Sequence, residues 1–188
     1  SRSEGPHTPG PAPRRVRILG GARADAGDDR QLQTMVRGAD LASFNPAARY
    51  LTGAAARALN DAGVRVRGDL RSRAGLVVGT TRLSAQSAEE FDRSIEERGL
   101  HELSVRAFSQ MVLNAPAGAA SRALSLRGSH MTLSTGRGSG LVAVALAALS
   151  LQQRQDDALT IAGGFDEPDQ DADGQQGAAC LVLSSELE

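Results

Sequence analysis

The sequence is poor in the groups that carry most protein chemistry. One cysteine, Cys180, in 188 residues excludes a disulfide framework and a thiolate zinc site. Three histidines, His7, His101 and His130, leave few candidates for general-base work. His7 falls in a Pro/Gly-rich leader, residues 1–14, whose composition predicts disorder. Tryptophan is absent, and four Phe with one Tyr leave almost nothing to stack on bases. Neither sign of charge dominates: 21 Lys+Arg against 22 Asp+Glu give a formal net charge of -1. Without a basic excess, a nucleic-acid partner is not expected. The longest apolar run, residues 141–151, falls well short of the roughly 20 residues that cross a bilayer, and the first 15 residues carry no signal-like apolar stretch. Together these absences predict a cytoplasmic protein with no membrane contact, metal or other cofactor.

What remains is ample for a core. With 40% hydrophobic residues, residues 15–188 fit one domain able to bury about 70% of its unfolded surface. A first strand is expected over residues 15–20, closed by Gly20-Gly21, and a weak helix over 28–40. Asn45-Pro46 offers an N-cap followed by proline in the first helical turn. Tyr50, Leu51, Ala54, Ala55, Ala58 and Leu59 follow at helical spacing, with Gly63 as the left-handed stop. Residues 74–79 form a continuous apolar run, which predicts a strand covered on both faces. Ser87 and Glu90 read as a capping box for a helix ending at Gly99. Ser104 caps a short helix carrying Phe108, Met111 and Val112, and Pro116 opens another that runs through Leu124. Residues 131–135 have strand composition. Residues 136–140 turn that strand into an alanine-rich helix over 141–153. Two further strands, 158–163 and 178–183, are separated by a loop rich in Asp and Gln.

The resulting order, β-α-β-α-α-β-α-β-β, predicts an α/β fold: a mixed, mostly parallel sheet with helices on both faces. The last two strands, joined without a helix, supply the antiparallel member.

The local motifs fail as ligand sites. Gly136-Arg-Gly-Ser-Gly140 sits where phosphate loops sit, but Leu141 breaks the dinucleotide fingerprint and no Gly-Lys-Ser/Thr follows. Ser139 lacks the flanking glycines of a nucleophile elbow. A tight strand-to-helix turn, in which small residues let two backbones approach, is the expected role. Asp169-Gln-Asp-Ala-Asp-Gly174 opens like a calcium loop, but Cys180 occupies the position that must supply a bidentate carboxylate, so a solvated acidic loop is expected. Cys180 reads as a small core hydrophobe and His130 as a structural histidine.

Five segments in order carry a resemblance: Asn114-Ala-Pro-Ala-Gly118, Leu124-Ser-Leu-Arg-Gly128, Thr132-Leu-Ser-Thr-Gly-Arg-Gly-Ser-Gly-Leu141, Ile161-Ala-Gly-Gly-Phe-Asp-Glu167 and Gly177-Ala-Ala-Cys-Leu-Val-Leu183. Their order and spacing are similar to those of the N-terminal half of the β-ketoacyl synthases, across residues 16–183. The resemblance implies a thiolase-like architecture, of which this chain would be the N-terminal half of a duplicated fold.

The departures bear on function. In the family the strand ending at Thr135 leads to a cysteine at a helix N-terminus, where the thiolate is favoured and is acylated. Aligned without a gap, that position is Arg137, whose guanidinium stays protonated and is not a nucleophile. The family's histidine pair belongs to the second half, and neither His101 nor His130 falls on those motifs. The resemblance therefore implies a catalytically silent relative, most like a chain length factor of type II polyketide or aryl-polyene systems. Its expected partner is an active β-ketoacyl synthase subunit, in a heterodimer that engages acyl carrier protein through the complex. Phe108, Met111, Val112 and Leu113 would form or gate the acyl tunnel. Asn114, Met131, Thr132, Leu133, Ser134, Thr135 and Arg137 would lie at the dimer interface. The alternative is an N-terminal fragment of a larger condensing or decarboxylating ketosynthase-like enzyme.

Overall fold

The computed structural model describes residues 14–27, 29–36, 38–81, 85–99, 112–153, 156–167 and 176–185. In chain order they form β1 (Arg17–Ala24), α1 (Asp29–Met35), α2 (Pro46–Asp61), β2 (Ala74–Gly79), α3 (Ala85–Arg98), α4 (Ala115–Leu124), β3 (His130–Leu133), α5 (Ser139–Gln153), β4 (Leu159–Asp166) and β5 (Gly177–Ser184). The five-stranded sheet has the order β1-β5-β4-β2-β3. β2 pairs in parallel with β3 and β4, whereas β5 runs antiparallel to both β4 and β1. Four strands, β1 to β4, therefore point the same way, and β5 alone is reversed. The predicted α/β fold with one antiparallel insertion is the fold observed.

Strand alternation divides the core into two layers. Leu76, Val78, Ile161, Cys180 and Val182 face α2 and α4, packing with Leu51, Ala54, Ala58 and Ala120. Val77, Ala162 and Leu183 face the other way and meet Ala143, Ala147 and Leu151 of α5. All six residues of β2 are buried, as expected of a strand covered on both sides. α1 adds Leu32, and the residue after it Val36, against Ala56 on the outer side of α2. The small side chains of α2 and α5 let the helices lie close on the sheet.

α2 follows its sequence signals closely. The Asn45 side chain accepts a hydrogen bond from the Ala48 N–H (2.9 Å), and Pro46 sits where a missing N–H costs nothing. Gly63, at φ +66°, stops the helix while Val64 N–H bonds back to Leu59 O.

Several boundaries differ from expectation, each for a local reason. β1 does not close at Gly20-Gly21 but continues to Ala24; a Cβ at Gly20 would lie 2.6 Å from the backbone N of Ala62, so the glycine is there for a close approach, not a turn. β4 likewise runs past Gly163-Gly164 to Asp166 because a Cβ at Gly163 would strike the Ala179 carbonyl of β5. α3 begins at Ala85, so Ser87 lies inside its first turn and is not the N-cap. The strand expected at 131–135 is His130–Leu133: Ser134 and Thr135 leave the ladder, and the Thr135 N–H donates to Ser139 Oγ (2.8 Å) in place of a strand partner. α5 starts at Ser139, two residues before the expected position, closed by Ser139 N–H to Gly136 O (3.0 Å). The helix expected after Ser104, with Phe108 and Met111, and the acidic loop at 169–174 lie outside the described residues, as does the leader up to residue 13.

A Cβ at Gly79 would clash with the carbonyl carbon and oxygen of Ser139, whereas one at Gly138 would meet nothing within 4 Å. Gly79→Ala is expected to lower the unfolding free energy in urea by about 3 kcal/mol or more, and Gly138→Ala to change it by no more than about 0.5 kcal/mol. Burial pushes the Cys180 thiol up from its ordinary value to about 12. Because the folded state keeps that proton longer than the unfolded one, this contribution to stability is present below the unfolded thiol's pKa and is lost as pH rises towards 12. Wild-type protein should therefore lose more stability over that alkaline range than Cys180→Ala, and a thiol reagent at pH 8 should label Cys180 only when the chain is unfolded.

Candidate functional site

The parallel strands β2 and β4 end side by side, with Gly79 opposite Gly164, and the N-terminus of α5 enters directly against both ends. A Cβ at Gly140 would lie 3.2 Å from Gly164 Cα, and one at Gly164 only 3.0 Å from Gly140 Cα. Three glycines thus bring helix and sheet backbones into contact at the carboxyl ends of the strands, the usual place for ligands in open α/β sheets. A cavity of about 240 Å³ opens there, lined among others by Arg23, Thr80, Arg137, Phe165, Asp166 and Gln176.

The polar groups around this cavity are largely committed to holding it. Asp166 Oδ1 accepts three hydrogen bonds, from Thr80 Oγ1 (3.0 Å), Thr81 N–H (2.8 Å) and Thr81 Oγ1 (2.7 Å), tying the ends of β2 and β4 together. Ser139 is 2% exposed; its hydroxyl donates to Gly136 O (2.6 Å) while accepting from Thr135 N–H. That hydroxyl pins the turn and is not presented as a nucleophile. Glu167 Oε1 accepts from Ala47 N–H (3.3 Å) in the first turn of α2, where a carboxylate is favoured by the helix dipole. Tyr50 reaches Gln176 Oε1 through its hydroxyl (3.4 Å).

Arg137 lies in the turn between β3 and α5, exposed, and its residue lines the cavity. Cys180 lies elsewhere: it is buried in β5, opposite Gly163 of β4. His130 opens β3 at the sheet edge, its pKa lowered by desolvation, with the Asp157 carboxylate acting in the opposite sense. Among the described residues no group of His, Cys, Asp or Glu could hold a metal ion. The cavity can bind and orient through guanidinium and hydroxyl groups, and the side chains that frame it offer no thiol.

The other sequence-predicted site residues fall in two places. Met131 (49% exposed), half-buried Thr132 and Leu133, and exposed Ser134 and Thr135 occupy the edge strand β3 and the turn that leaves it. Val112 (47% exposed), half-buried Leu113 and exposed Asn114 lead into α4. Phe108 and Met111 lie outside the described residues. Asp166, Thr80, Thr81, Arg23 and Gln176 received no role from the sequence. Only the register that sets Gly79 beside Gly164 places Thr80 and Thr81 against Asp166, and an Asp after a strand's double glycine is the signal that was available.

Asp166→Ala would leave the Thr81 N–H and two hydroxyls without their charged acceptor, at an expected cost of about 2 kcal/mol. Asp166→Asn, which keeps an acceptor oxygen, should cost roughly half that. Chemical denaturation of both variants checks the difference.

The geometry agrees with known structures. A β-ketoacyl synthase from Burkholderia phymatum superposes with a TM-score of 0.70 at 20% identity, over 92% of this chain and 59% of that one. The ishigamide ketosynthase/chain length factor gives a TM-score of 0.73 at 17% identity, over 93% of this chain and 59% of that one. A type II PKS acyl-carrier protein in complex with its ketosynthase, bound to the hexaketide, gives 0.70 at 16% identity, with the same coverages of 93% and 59%. At these identities the likeness establishes the thiolase-like ketosynthase fold, and the chain spans about three-fifths of the length of each of these structures. A comparison with curated proteins gives no match. The family model described as "Beta-ketoacyl synthase, N-terminal domain" matches residues 18–186. By that match, which takes in both the glycine-packed turn and the sheet around it, the chain belongs to the β-ketoacyl synthase N-terminal domain family.

Proposed function

We propose that this chain is a non-catalytic, chain-length-factor-like subunit that pairs with an active β-ketoacyl synthase and helps to shape its acyl tunnel in type II polyketide biosynthesis. The observation that carries this reading is Arg137 in the β3–α5 turn. The ordered motifs align that residue with the family's nucleophile, and its position between strand end and helix start is where such a group would act. A guanidinium there cannot form a thioester. The sole cysteine is buried in β5 with its thiol pushed up to about 12, so it offers no thiolate in its place.

Exposed apolar surface supports a partner. α5 carries no charged residue, and on the side away from the sheet it exposes Leu141 (80%), Val142 (39%), Leu146 (37%) and Leu149 (50%). Met131 of the edge strand β3 pairs with Val77, which faces α5, so its apolar side chain borders the same side of the sheet. A contiguous apolar face of this kind marks an interaction surface. Val112 and Leu113, beside Phe108 and Met111 in sequence, would contribute to the tunnel end, and acyl carrier protein would be met through the complex.

A second reading draws on the same uncovered face of α5. In the N-terminal part of a larger condensing or decarboxylating enzyme, a following domain would bury it. Intact-mass measurement of the native polypeptide separates the two readings.

Co-expression with a ketosynthase encoded nearby should give a complex that co-purifies. Met131→Arg should abolish that complex while changing the isolated chain's stability by no more than about 0.5 kcal/mol, since the side chain is exposed. Arg137→Cys should give the isolated chain no condensing activity. Failure to co-purify, with product length unchanged on deletion of the subunit, would overturn the proposal.

A further inference from the structure

We propose that the end of the sheet opposite the cavity is a docking surface for an acidic protein, recognised through arginine–carboxylate pairs. Because β1, β2, β3 and β4 point the same way, the segments that enter them converge on one end of the sheet. Arg17 of β1 is opposite Ser184 of β5, Ser184 opposite Leu159 of β4, and Leu159 opposite Ala74 of β2, a row across four strands. Gly128, just before β3, joins the row by donating to Ala74 O (2.9 Å).

Exposed arginines follow that row. Arg15 and Arg17 stand at its β1 end. Gly20 packs against Ala62, so the chain leaving α2 starts beneath β1 and travels to the start of β2, presenting Arg65 and Arg67 on the way while Val64 and Val66 turn into the core. Arg71 and Arg127 close the row, held together by the Arg127 N–H bond to Arg71 O (2.8 Å). Neighbouring strands lie about 4.8 Å apart, so this stripe, which spans five strands, is roughly 19 Å long. Among the described residues, six exposed arginines meet three exposed aspartates there, Asp61, Asp69 and Asp156, an excess of three positive charges among these exposed groups in a chain whose formal net charge is -1.

The chemistry of the stripe favours protein over other polyanions. The chain contains no lysine, so every cation in it is arginine, whose planar fork pairs bidentately with carboxylates and with phosphates. The interspersed aspartates make a patterned surface rather than the uniform field that phosphate backbones or anionic lipids favour. No apolar side chain projects among the arginines of the 64–67 segment to enter a bilayer, since both valines there are packed inward. A partner docked here would leave the cavity at the opposite end open, and the surface does not depend on the function proposed above.

The test uses the purified chain and three probes matched in total charge at 50 mM salt: poly-L-glutamate, a single-stranded oligothymidylate, and phosphatidylcholine vesicles containing phosphatidylglycerol. Poly-L-glutamate should bind best, and Arg65→Glu/Arg67→Glu should weaken it at least about tenfold. The control Arg93→Glu/Arg122→Glu, with the same charge change at exposed positions outside both the stripe and the cavity, should weaken it no more than about threefold. Circular dichroism confirms folding; should the double variant not fold, Arg71→Glu carries the test. The proposal fails if poly-L-glutamate does not bind, if both double variants weaken it equally, or if the oligonucleotide or the vesicles bind more tightly.

Discussion

The contact on which the rest of the structure depends is the one between α5 and the ends of β2 and β4. Gly79, Gly140 and Gly164 remove the side chains that would hold helix and strands apart. With them in place the backbone of α5 rests on the sheet, Ala143, Ala147 and Leu151 reach Val77, Ala162 and Leu183, and the turn containing Arg137 is drawn to the carboxyl ends of the strands. Asp166 reinforces the same junction by accepting from both threonines that follow β2. Close packing and a charge-assisted network therefore fix the site before any ligand is considered.

The shared direction of four strands gives the molecule two chemically distinct ends. At the carboxyl ends, short polar side chains surround a cavity, and their hydrogen bonds are mostly spent within the protein. At the other end, entering loops carry guanidinium groups outward while their valines complete the core. Between these ends, α2 and α4 close one face of the sheet, and α5 covers the other with an apolar helix whose outer side is uncovered. Cavity, charged end and apolar helix face point in different directions, so they can be addressed separately by mutation.

Much of this was legible in the sequence. The run at 74–79, with no polar residue, suited a strand covered on both faces, and Asn45, Pro46 and Gly63 marked where α2 starts and stops. Glycine was the misleading signal. Gly20-Gly21 and Gly163-Gly164 read locally as strand ends, yet each pair sits within a strand because another backbone passes close by. Ser134 and Thr135 have strand composition, but the Ser139 hydroxyl takes the Thr135 N–H and pulls both residues out of the ladder. These outcomes depend on partners distant in sequence or on a turn's hydrogen bonds, neither of which periodicity records.

By itself the sequence determined the succession of the five strands, the two-sided burial of β2, the absence of a second thiol, and the arginine where the family's motif carries its nucleophile. These are properties of residue identity and local spacing, which a linear string contains in full. Only the tertiary structure decided that Asp166 belongs with Thr80 and Thr81, that Arg137 borders a cavity with Arg23, and that arginines from three separate loops form one stripe. Each of those groupings is set by strand register and direction, and hence by hydrogen bonds between segments 85 to 167 residues apart.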